Sequence, residues 1–257
     1  MKKVSILFLA NSFADDTIQY MPEIASDFGY DLDLYNLYIG GCEINRHINN
    51  ILNNEKAYEL RVYNKDTKEW ETVYDVSSKE FIPTKKWDYI VLQQASHCSG
   101  IPNGLANIEQ LIELVKGLAN KDVKLAWNMT WAYGKDSWLE VFETQFGKDQ
   151  NLMYQSIVKN VKETIVPNKE FVKIIPNGTA VQNARQYIDD SLLHRDQFHL
   201  GFQYGRFLAG LTAVGVLLDV DLTKEQFVPQ ELPKELRETY IKCAMDAIKT
   251  PFEQTKK

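Results

Sequence analysis

An aspartate and a histidine near the carboxyl end of the chain have the spacing of a catalytic pair. Asp196 and His199 lie three positions apart in the segment RDQFHLG. Side chains at positions i and i+3 share a face in a helical or turn-like backbone, so the carboxylate of Asp196 can orient the imidazole of His199. Such a pair is half of a catalytic triad. A structural interpretation stays open, in which Asp196 caps a helix and His199 is a partly buried histidine.

A serine near the start of the chain is the matching candidate nucleophile. Ser12 follows Asn11 at the end of the apolar run ILFLA. A serine hydroxyl becomes an effective nucleophile at neutral pH when a neighbouring imidazole accepts its proton. Ser12 also fits a structural role, because a serine followed three positions later by an acidic residue, here Asp15, forms a helix-capping pattern. The pattern alone leaves both roles open.

Short apolar runs separated by helical patterns predict the elements that would position these residues. The predicted strands cover residues 4–9, 32–37, 89–92, 123–127 and 171–175. Helical crossovers between them imply an α/β protein with a mainly parallel, five-stranded sheet and helices on both faces, a three-layer α/β/α, flavodoxin-like fold. Alternating apolar and polar residues at 58–76 break this rhythm and predict a β-hairpin insertion.

Ligands of open α/β sheets bind beyond the carboxyl ends of the strands, so the residues that follow each strand are informative. Ser12 follows the first predicted strand, the pair Gly40-Gly41 the second, and the pair Gln93-Gln94 the third. A glycine pair lets the backbone approach a ligand and point an amide into a cleft, although an ordinary tight turn uses the same residues. The glutamines fit a site, but they also fit the satisfaction of backbone groups.

The composition favours one domain and argues against several partners. The chain has 257 residues, of which 44% are hydrophobic, and this suits a single domain over residues 1–257. A net charge of −6 argues against a nucleic-acid partner. The opening MKKVSILFLANSF superficially resembles a signal peptide, but its apolar run has the length of a strand, and no membrane span is expected. The widely spaced cysteines form no C-x-x-C pair, so we expect a cytoplasmic protein without a disulfide framework.

Taken in chain order, these residues resemble the four sequence blocks of the SGNH, or GDSL-like, hydrolase superfamily. The blocks are a serine after the first strand, a glycine after the second, a polar amide after the third, and D-x-x-H before the last long helix. The combination is most similar to a bacterial branch whose first block reads N-S-F. The resemblance implies that Ser12 is the nucleophile, His199 the general base and Asp196 its orienting carboxylate. It also implies an oxyanion hole that includes the amides of Ser12 and Gly41, and no metal or organic cofactor.

The third block departs from the superfamily pattern. Most members have G-x-N-D there, with the asparagine amide donating to the oxyanion, whereas this chain reads QASH from Gln94 onwards. Some sialate and xylan acetylesterases of the superfamily have a glutamine near this place, so we predict the Gln94 side chain as the third donor. Simple counting against G-x-N instead selects His97. In the first block, Ala10 stands where glycine is frequent and Asn11 where aspartate is.

The resemblance implies a serine esterase that hydrolyses small acyl esters. The loops that would form the cleft contain no long run of small or aliphatic residues to line a lipid-length tunnel, so short acyl groups, especially O-acetyl groups on a carbohydrate, are expected. Sugars require directional hydrogen bonds and a flat apolar face. We therefore predict that Asn11 and Trp131 contact a small-molecule or carbohydrate ester.

Other functions stay open at this point. A non-catalytic carbohydrate-binding protein could use the aromatic residues of WNMTWAYGKDSW, and a lipase or thioesterase could share the same fold. A metal site built from His194, Asp196 and His199 is disfavoured because their spacing matches no zinc motif. Cys42 is disfavoured as a nucleophile because a free cysteine is more often a small buried hydrophobe.

Overall fold

In the computed structural model, which describes residues 1–230 and 232–256, seven β-strands of the described chain form one sheet. The strands are β1 (Lys2–Ala10), β2 (Tyr30–Tyr38), β3 (Tyr58–Asn64), β4 (Glu69–Val76), β5 (Tyr89–Leu92), β6 (Lys124–Asn128) and β7 (Phe171–Ile175). Their order across the sheet is β4-β3-β2-β1-β5-β6-β7. Neighbouring strands in the part β2-β1-β5-β6-β7 are parallel. Strand β3 is antiparallel to both of its neighbours, β2 and β4.

The sheet differs from the predicted one in its number of strands. The parallel strands β1, β2, β5, β6 and β7 correspond to the predicted five. The segment predicted as a β-hairpin insertion forms β3 and β4, and β3 pairs with β2 from Tyr35↔Val62 to Tyr38↔Glu59. The sheet therefore has seven strands instead of five, because β3 satisfies the backbone groups that the edge of β2 would otherwise leave unpaired.

Twelve α-helices surround the sheet in the same described residues. They are α1 (Ser12–Ile18), α2 (Met21–Asp27), α3 (Ile44–Asn53), α4 (Ser78–Phe81), α5 (Ser96–Ser99), α6 (Ile108–Leu118), α7 (Glu140–Phe146), α8 (Gln150–Asn160), α9 (Asn177–Ala184), α10 (Asp190–Leu193), α11 (Gly205–Leu218) and α12 (Arg237–Lys249). A π-helical turn, Val161–Ile165, continues α8, and 3-10 turns cover Ile82–Thr84, Leu222–Lys224 and Lys234–Leu236.

The helices pack in two groups. Helix α11 contacts α1, α2, α9 and α12, whereas α3 contacts α4 and α6. Right-handed crossovers between parallel strands place two such groups on opposite faces of the sheet. The central strands are consequently covered on both sides, and all residues of Tyr89–Leu92 are buried. No helix of the described residues combines the length and apolar character needed to cross a bilayer.

The connections that leave the carboxyl ends of β1, β2 and β5 carry the residues singled out in the sequence. The chain passes from β1 directly into α1 at Ser12, from β2 through Gly40 and Gly41, and from β5 through Gln93. Because these strands are adjacent and parallel, their ends lie at one edge of the sheet. A fourth segment, residues 194–200, reaches the same edge before α11, and His199 in it contacts Ser12.

Candidate active site

The hydroxyl of Ser12 is available because its neighbour caps the helix. Asn11 has an extended backbone, and its Oδ1 accepts a hydrogen bond from Phe13 N at 3.1 Å. Ser12 is therefore the first helical residue of α1. The capping role considered for Ser12 falls to Asn11, so the serine side chain can contact groups from another segment.

Ser12, His199 and Asp196 form a continuous hydrogen-bonded series. Ser12 Oγ lies 2.7 Å from His199 Nε2, and Asp196 Oδ2 lies 2.7 Å from His199 Nδ1. An ionised carboxylate can accept hydrogen bonds but cannot donate them, so the proton is assigned to Nδ1 and Nε2 accepts from the serine hydroxyl. In this arrangement the imidazole can take the proton of Ser12.

Backbone hydrogen bonds hold the Asp196 carboxylate in place. Its Oδ1 accepts from Phe198 N at 3.2 Å and from His199 N at 2.7 Å. Partial burial raises the pKa of Asp196, but the hydrogen bonds from the ring and backbone of His199 outweigh burial and hold this pKa below its ordinary value. The carboxylate is therefore ionised at neutral pH, where it can stabilise an imidazolium.

Asp16 ties the helix of Ser12 to the segment that carries the histidine. The Asp16 side chain is fully buried on α1. Its Oδ2 accepts from Leu200 N at 2.8 Å, and its Oδ1 accepts from Arg195 at 2.7 Å and from Arg206 Nε at 2.8 Å. Three donors from residues 195–206 therefore converge on one carboxylate four positions after Ser12.

A chain of buried amides connects the ends of the central strands. Gln93 Nε2 donates to Asn11 Oδ1 at 2.6 Å, and Asn128 Nδ2 donates to Gln93 Oε1 at 2.8 Å. Asn177 Nδ2 continues the chain by donating to Asn128 Oδ1 at 2.9 Å and to Thr17 Oγ1 at 3.2 Å. These residues follow or end β1, β5, β6 and β7, so the network fixes the strand ends relative to one another.

A cleft of about 310 Å³ opens beside Ser12 and His199. Its volume is at the lower end of the range found for small-molecule sites. Ring-bearing and aliphatic side chains dominate its walls, and these are Phe13, Tyr38, Tyr133, Leu139 and Phe198. The reactive groups therefore face a small, largely apolar space.

Gly41 borders the same cleft with a backbone suited to glycine. Its φ is +60°, and a Cβ at this position would meet no atom within 4 Å. Within residues 1–230 and 232–256, the Gly41 N–H makes no hydrogen bond. Gly41 and Ser12 therefore line the same cleft, and the Gly41 amide stays the predicted oxyanion donor.

Gln94, predicted as the third donor, does not reach the cleft. Its Oε1 accepts from Ile44 N at 3.1 Å and from Ala95 N at 2.7 Å, and its Nε2 donates to Gly104 O at 2.5 Å. The side chain is buried and stabilises three backbone segments, which corrects the prediction of an oxyanion donor. His97, the alternative from counting, does line the cleft, and its Nε2 lies 2.9 Å from Glu43 Oε1.

Of the two predicted substrate contacts, Trp131 is corrected, whereas Asn11 stays a prediction. Trp131 is fully buried, stacks on Phe13 with ring centroids 4.1 Å apart, and donates from Nε1 to Phe198 O at 2.8 Å. Asn11 borders the cleft, but its amide is engaged internally, because Nδ2 donates to Cys42 O and Oδ1 accepts from two donors. Trp131 therefore supports the site from the core, whereas Asn11 borders the cleft and also holds the backbone around it.

Two aromatic residues pack in series beside His199: Phe198, which sequence reasoning did not select, and Trp138, from the segment WNMTWAYGKDSW that was considered for carbohydrate binding. The Phe198 ring packs on His199 with centroids 4.0 Å apart, and the rings of Trp138 and Phe198 are nearly perpendicular with centroids 6.0 Å apart. Trp138 is 73% exposed, so much of its ring is open to solvent. The one feature of the sequence that could have indicated the role of Phe198 is its position between Asp196 and His199 in RDQFHLG.

The disfavoured alternatives of the sequence lie apart from this arrangement. His194 is buried and its Nδ1 lies 3.2 Å from Asp190, so it does not join His199 around a common point. Burial raises the pKa of the Cys42 thiol to about 12, so it is protonated and poorly nucleophilic at neutral pH.

A different group, Glu43, His97 and Cys98, does bring three metal-ligating atoms within 4.8 Å of one another.

Comparison with known proteins places the chain in a family. A family model described as Domain of unknown function (DUF4886) matches residues 5–247, so the chain belongs to this family. The crystal structure of a DUF4886 family protein from Bacteroides uniformis is 32% identical, with a TM-score of 0.92, and the match covers 99% of this chain and 98% of that one. A search of curated proteins found no match.

More distant structures show the same fold. A Slackia heliotrinireducens protein provisionally described as an SGNH hydrolase is 15% identical, with a TM-score of 0.50, and the match covers 84% of this chain and 100% of that one. A Parabacteroides merdae protein provisionally described as a GDSL-like lipase is 12% identical, with a TM-score of 0.51, and the match covers 83% of this chain and 94% of that one. The mixed α/β fold of this chain is therefore of the SGNH type.

Proposed function

We propose that this member of the DUF4886 family is a serine esterase that hydrolyses short acyl esters, with O-acetyl groups on a carbohydrate as the preferred substrates. The observation that carries the proposal is the series Ser12, His199 and Asp196, joined by contacts of 2.7 Å on both sides of the imidazole. The SGNH-type fold supports it, because the two distant neighbours are described as a hydrolase and a lipase of this class.

The reaction follows from the geometry of these side chains. Ser12 Oγ attacks the ester carbonyl carbon while His199 Nε2 takes the hydroxyl proton, and Asp196 stabilises the resulting imidazolium. The amides of Ser12 and Gly41 donate to the carbonyl oxygen as it becomes an oxyanion, and one such donor contributes about 3 kcal/mol to transition-state stabilisation. The imidazolium then protonates the leaving alkoxide oxygen, so that an acyl-serine and an alcohol are formed.

A water molecule completes the cycle by the same steps in reverse order. His199 Nε2 accepts a proton from the water as its oxygen attacks the acyl-serine carbonyl. Collapse of the second tetrahedral intermediate breaks the bond to Ser12 Oγ, which regains its proton from the imidazolium. The products are the carboxylic acid and the free enzyme.

The size and chemistry of the cleft support a short acyl group and a sugar alcohol. A space of about 310 Å³ bordered by Tyr133, Leu139 and Phe198 accommodates an acetyl group without a long apolar tunnel. Trp138 offers an exposed ring in contact with Phe198, which lines the cleft, and a sugar ring could stack there. The contact between Ser12 and His199 favours catalysis over simple carbohydrate binding, which needs no such pair.

The test is a comparison of acyl lengths on one leaving group. We expect kcat/KM for p-nitrophenyl acetate to exceed that for p-nitrophenyl octanoate at least tenfold, a difference of about 1.4 kcal/mol in barrier. Acetylated xylan and O-acetylated sialic acids are assayed beside them for released acetate, with Ser12→Ala as the control for background hydrolysis. Equal or better hydrolysis of the octanoyl ester would assign the protein to the lipase or thioesterase alternative.

A further inference from the structure

A cluster of three different ligand side chains lies beside the Ser12 cleft. Glu43 precedes α3, and His97 and Cys98 lie on α5. Their ligating atoms are within 4.8 Å of one another, and His97 Nε2 is 2.9 Å from Glu43 Oε1. We propose that Glu43, His97 and Cys98 form a binding site for a transition-metal dication of the Zn²⁺ type.

The donor set matches the chemistry of zinc. Zn²⁺ accepts sulfur, imidazole nitrogen and carboxylate oxygen at about 2.0–2.3 Å, whereas Mg²⁺ and Ca²⁺ select oxygen. Tetrahedral bonds of that length separate ligand atoms by roughly 3.5 Å, so side-chain adjustments of about 1 Å close the site. On binding, the Cys98 thiol releases its proton to the buffer, and the two negative charges of Cys98 and Glu43 balance the dication.

The site is accessible and has room for a fourth ligand. All three residues are partly exposed, so an ion can enter from solvent. Three protein ligands leave one coordination position for water, as in zinc sites that remain open. The two ligand-bearing segments follow β2 and β5, the strands on either side of β1, so the fold itself holds them together.

Metal binding at this cluster would act on the cleft. His97 is a ligand of the proposed site and also part of the wall that faces Ser12 and His199. A bound ion and its water would neutralise the charge of Glu43, fix the His97 ring and add volume at this wall. We therefore infer that Zn²⁺ slows ester hydrolysis, a consequence that rests on the proposed esterase function, whereas metal binding itself does not.

The binding test uses Co²⁺ as a spectroscopic probe of the metal-free protein. We expect one Co²⁺ per chain to produce a thiolate-to-cobalt charge-transfer band, and Zn²⁺ to displace it. The band should be lost in Cys98→Ser and should remain in the control Cys243→Ser, which removes a buried cysteine from α12. Glu43→Gln retains the thiolate and should raise the Kd for Zn²⁺ at least tenfold, about 1.4 kcal/mol. Circular dichroism verifies that each variant is folded.

Two results would overturn the site. One is a wild-type protein without a charge-transfer band, and the other is a band that survives in Cys98→Ser. The effect on the cleft is measured separately as Zn²⁺ inhibition of p-nitrophenyl acetate hydrolysis, each variant being compared with its own metal-free rate. Inhibition of wild type that is at least tenfold weaker in Cys98→Ser supports the link, and bound Zn²⁺ without inhibition refutes it. A protein that binds Co²⁺ but hydrolyses no ester retains the metal site and contradicts the esterase.

Discussion

At the scale of single residues, the candidate site depends on which polar groups are not used for hydrogen bonds that hold the fold. Asn11 caps α1 and thereby frees the hydroxyl of Ser12 for His199. Gly41 lines the same cleft with a φ of +60° and an N–H that makes no hydrogen bond in the described part of the chain. A residue with a Cβ at this φ is strained, which makes the glycine directly testable.

Replacing Gly41 by alanine should strongly reduce kcat while lowering the free energy of unfolding only slightly. A Cβ at Gly41 meets no neighbour, so the change strains the backbone by about 1 kcal/mol and displaces the amide from the oxyanion. Gly29→Ala is a matched control, because Gly29 has φ +76° and equally open surroundings, but lies in the turn between α2 and β2. We expect similar losses of unfolding free energy in both variants and a kcat loss of tenfold or more in Gly41→Ala. Equal kcat values in the two variants would remove Gly41 from the oxyanion hole.

The residue types of the site could be predicted from the sequence, but several side-chain directions could not. Ser12, Asp196 and His199 are identified by their place relative to the predicted elements, and the structure brings them together. Gln94 was chosen for its amide, yet that amide binds the backbone of Ile44, a residue 50 positions away whose proximity no local pattern reveals. Trp131 was chosen as a flat surface, and its burial likewise follows from tertiary packing.

At the scale of elements, the buried Asp16 carboxylate couples α1 to the segment before α11. Its partners Arg195 and Leu200 come from a stretch that has little regular structure of its own, and Arg206 lies in the first turn of α11. The alignment of Ser12 with His199 therefore depends on this contact as well as on the triad hydrogen bonds. Removing one partner of a buried ion pair typically costs about 3–5 kcal/mol.

The variant Asp16→Asn should lower both stability and kcat. The amide keeps the shape of the carboxylate but leaves Arg195 and Arg206 without their anion, so the segment of His199 loosens. We expect a loss of about 3 kcal/mol in unfolding free energy and a tenfold or larger loss of kcat with KM little changed, because substrate contacts remain. Glu225→Gln, which removes another buried carboxylate paired with an arginine, should leave kcat unchanged. A folded Asp16→Asn enzyme with wild-type kcat would contradict the coupling.

The elements were predictable to different degrees. The parallel strands β1, β2, β5, β6 and β7 are short apolar runs between amphipathic helices. A run of this kind predicts a buried strand from its local sequence alone. The pairing of β3 with β2 is different, because alternation indicates a hairpin but does not say which strand edge it joins. That choice is made by the exposed edge of β2, a feature of the assembled sheet.

At the scale of the whole molecule, one buried carboxyl group makes the stability of the fold depend on pH. Glu225 is fully buried, and burial raises its pKa from the ordinary 4.5 to about 7, although Arg237 Nε lies 3.2 Å away. The folded state therefore binds this proton more tightly than the unfolded state. Its contribution to stability is complete below pH 4.5 and is lost as the pH rises through about 7.

The variant Glu225→Gln should flatten the pH dependence of stability. The amide carries no charge at any pH, so the destabilisation that ionised Glu225 causes above its pKa of about 7 disappears. We expect wild type to lose more unfolding free energy than the variant between pH 5.5 and pH 8, measured by urea denaturation at each pH. Parallel curves for the two proteins would show that this carboxyl group does not govern the dependence.

The central claim, that Ser12 is a nucleophile activated by His199, is tested most directly by covalent labelling. A serine-directed fluorophosphonate is incubated with the folded protein, and the modified residue is located by peptide mass spectrometry. The account predicts one adduct on Ser12, none in Ser12→Ala, and labelling slowed by at least a hundredfold, about 2.7 kcal/mol, in His199→Ala. An unlabelled wild-type protein, or an adduct that persists on another residue in Ser12→Ala, would contradict it.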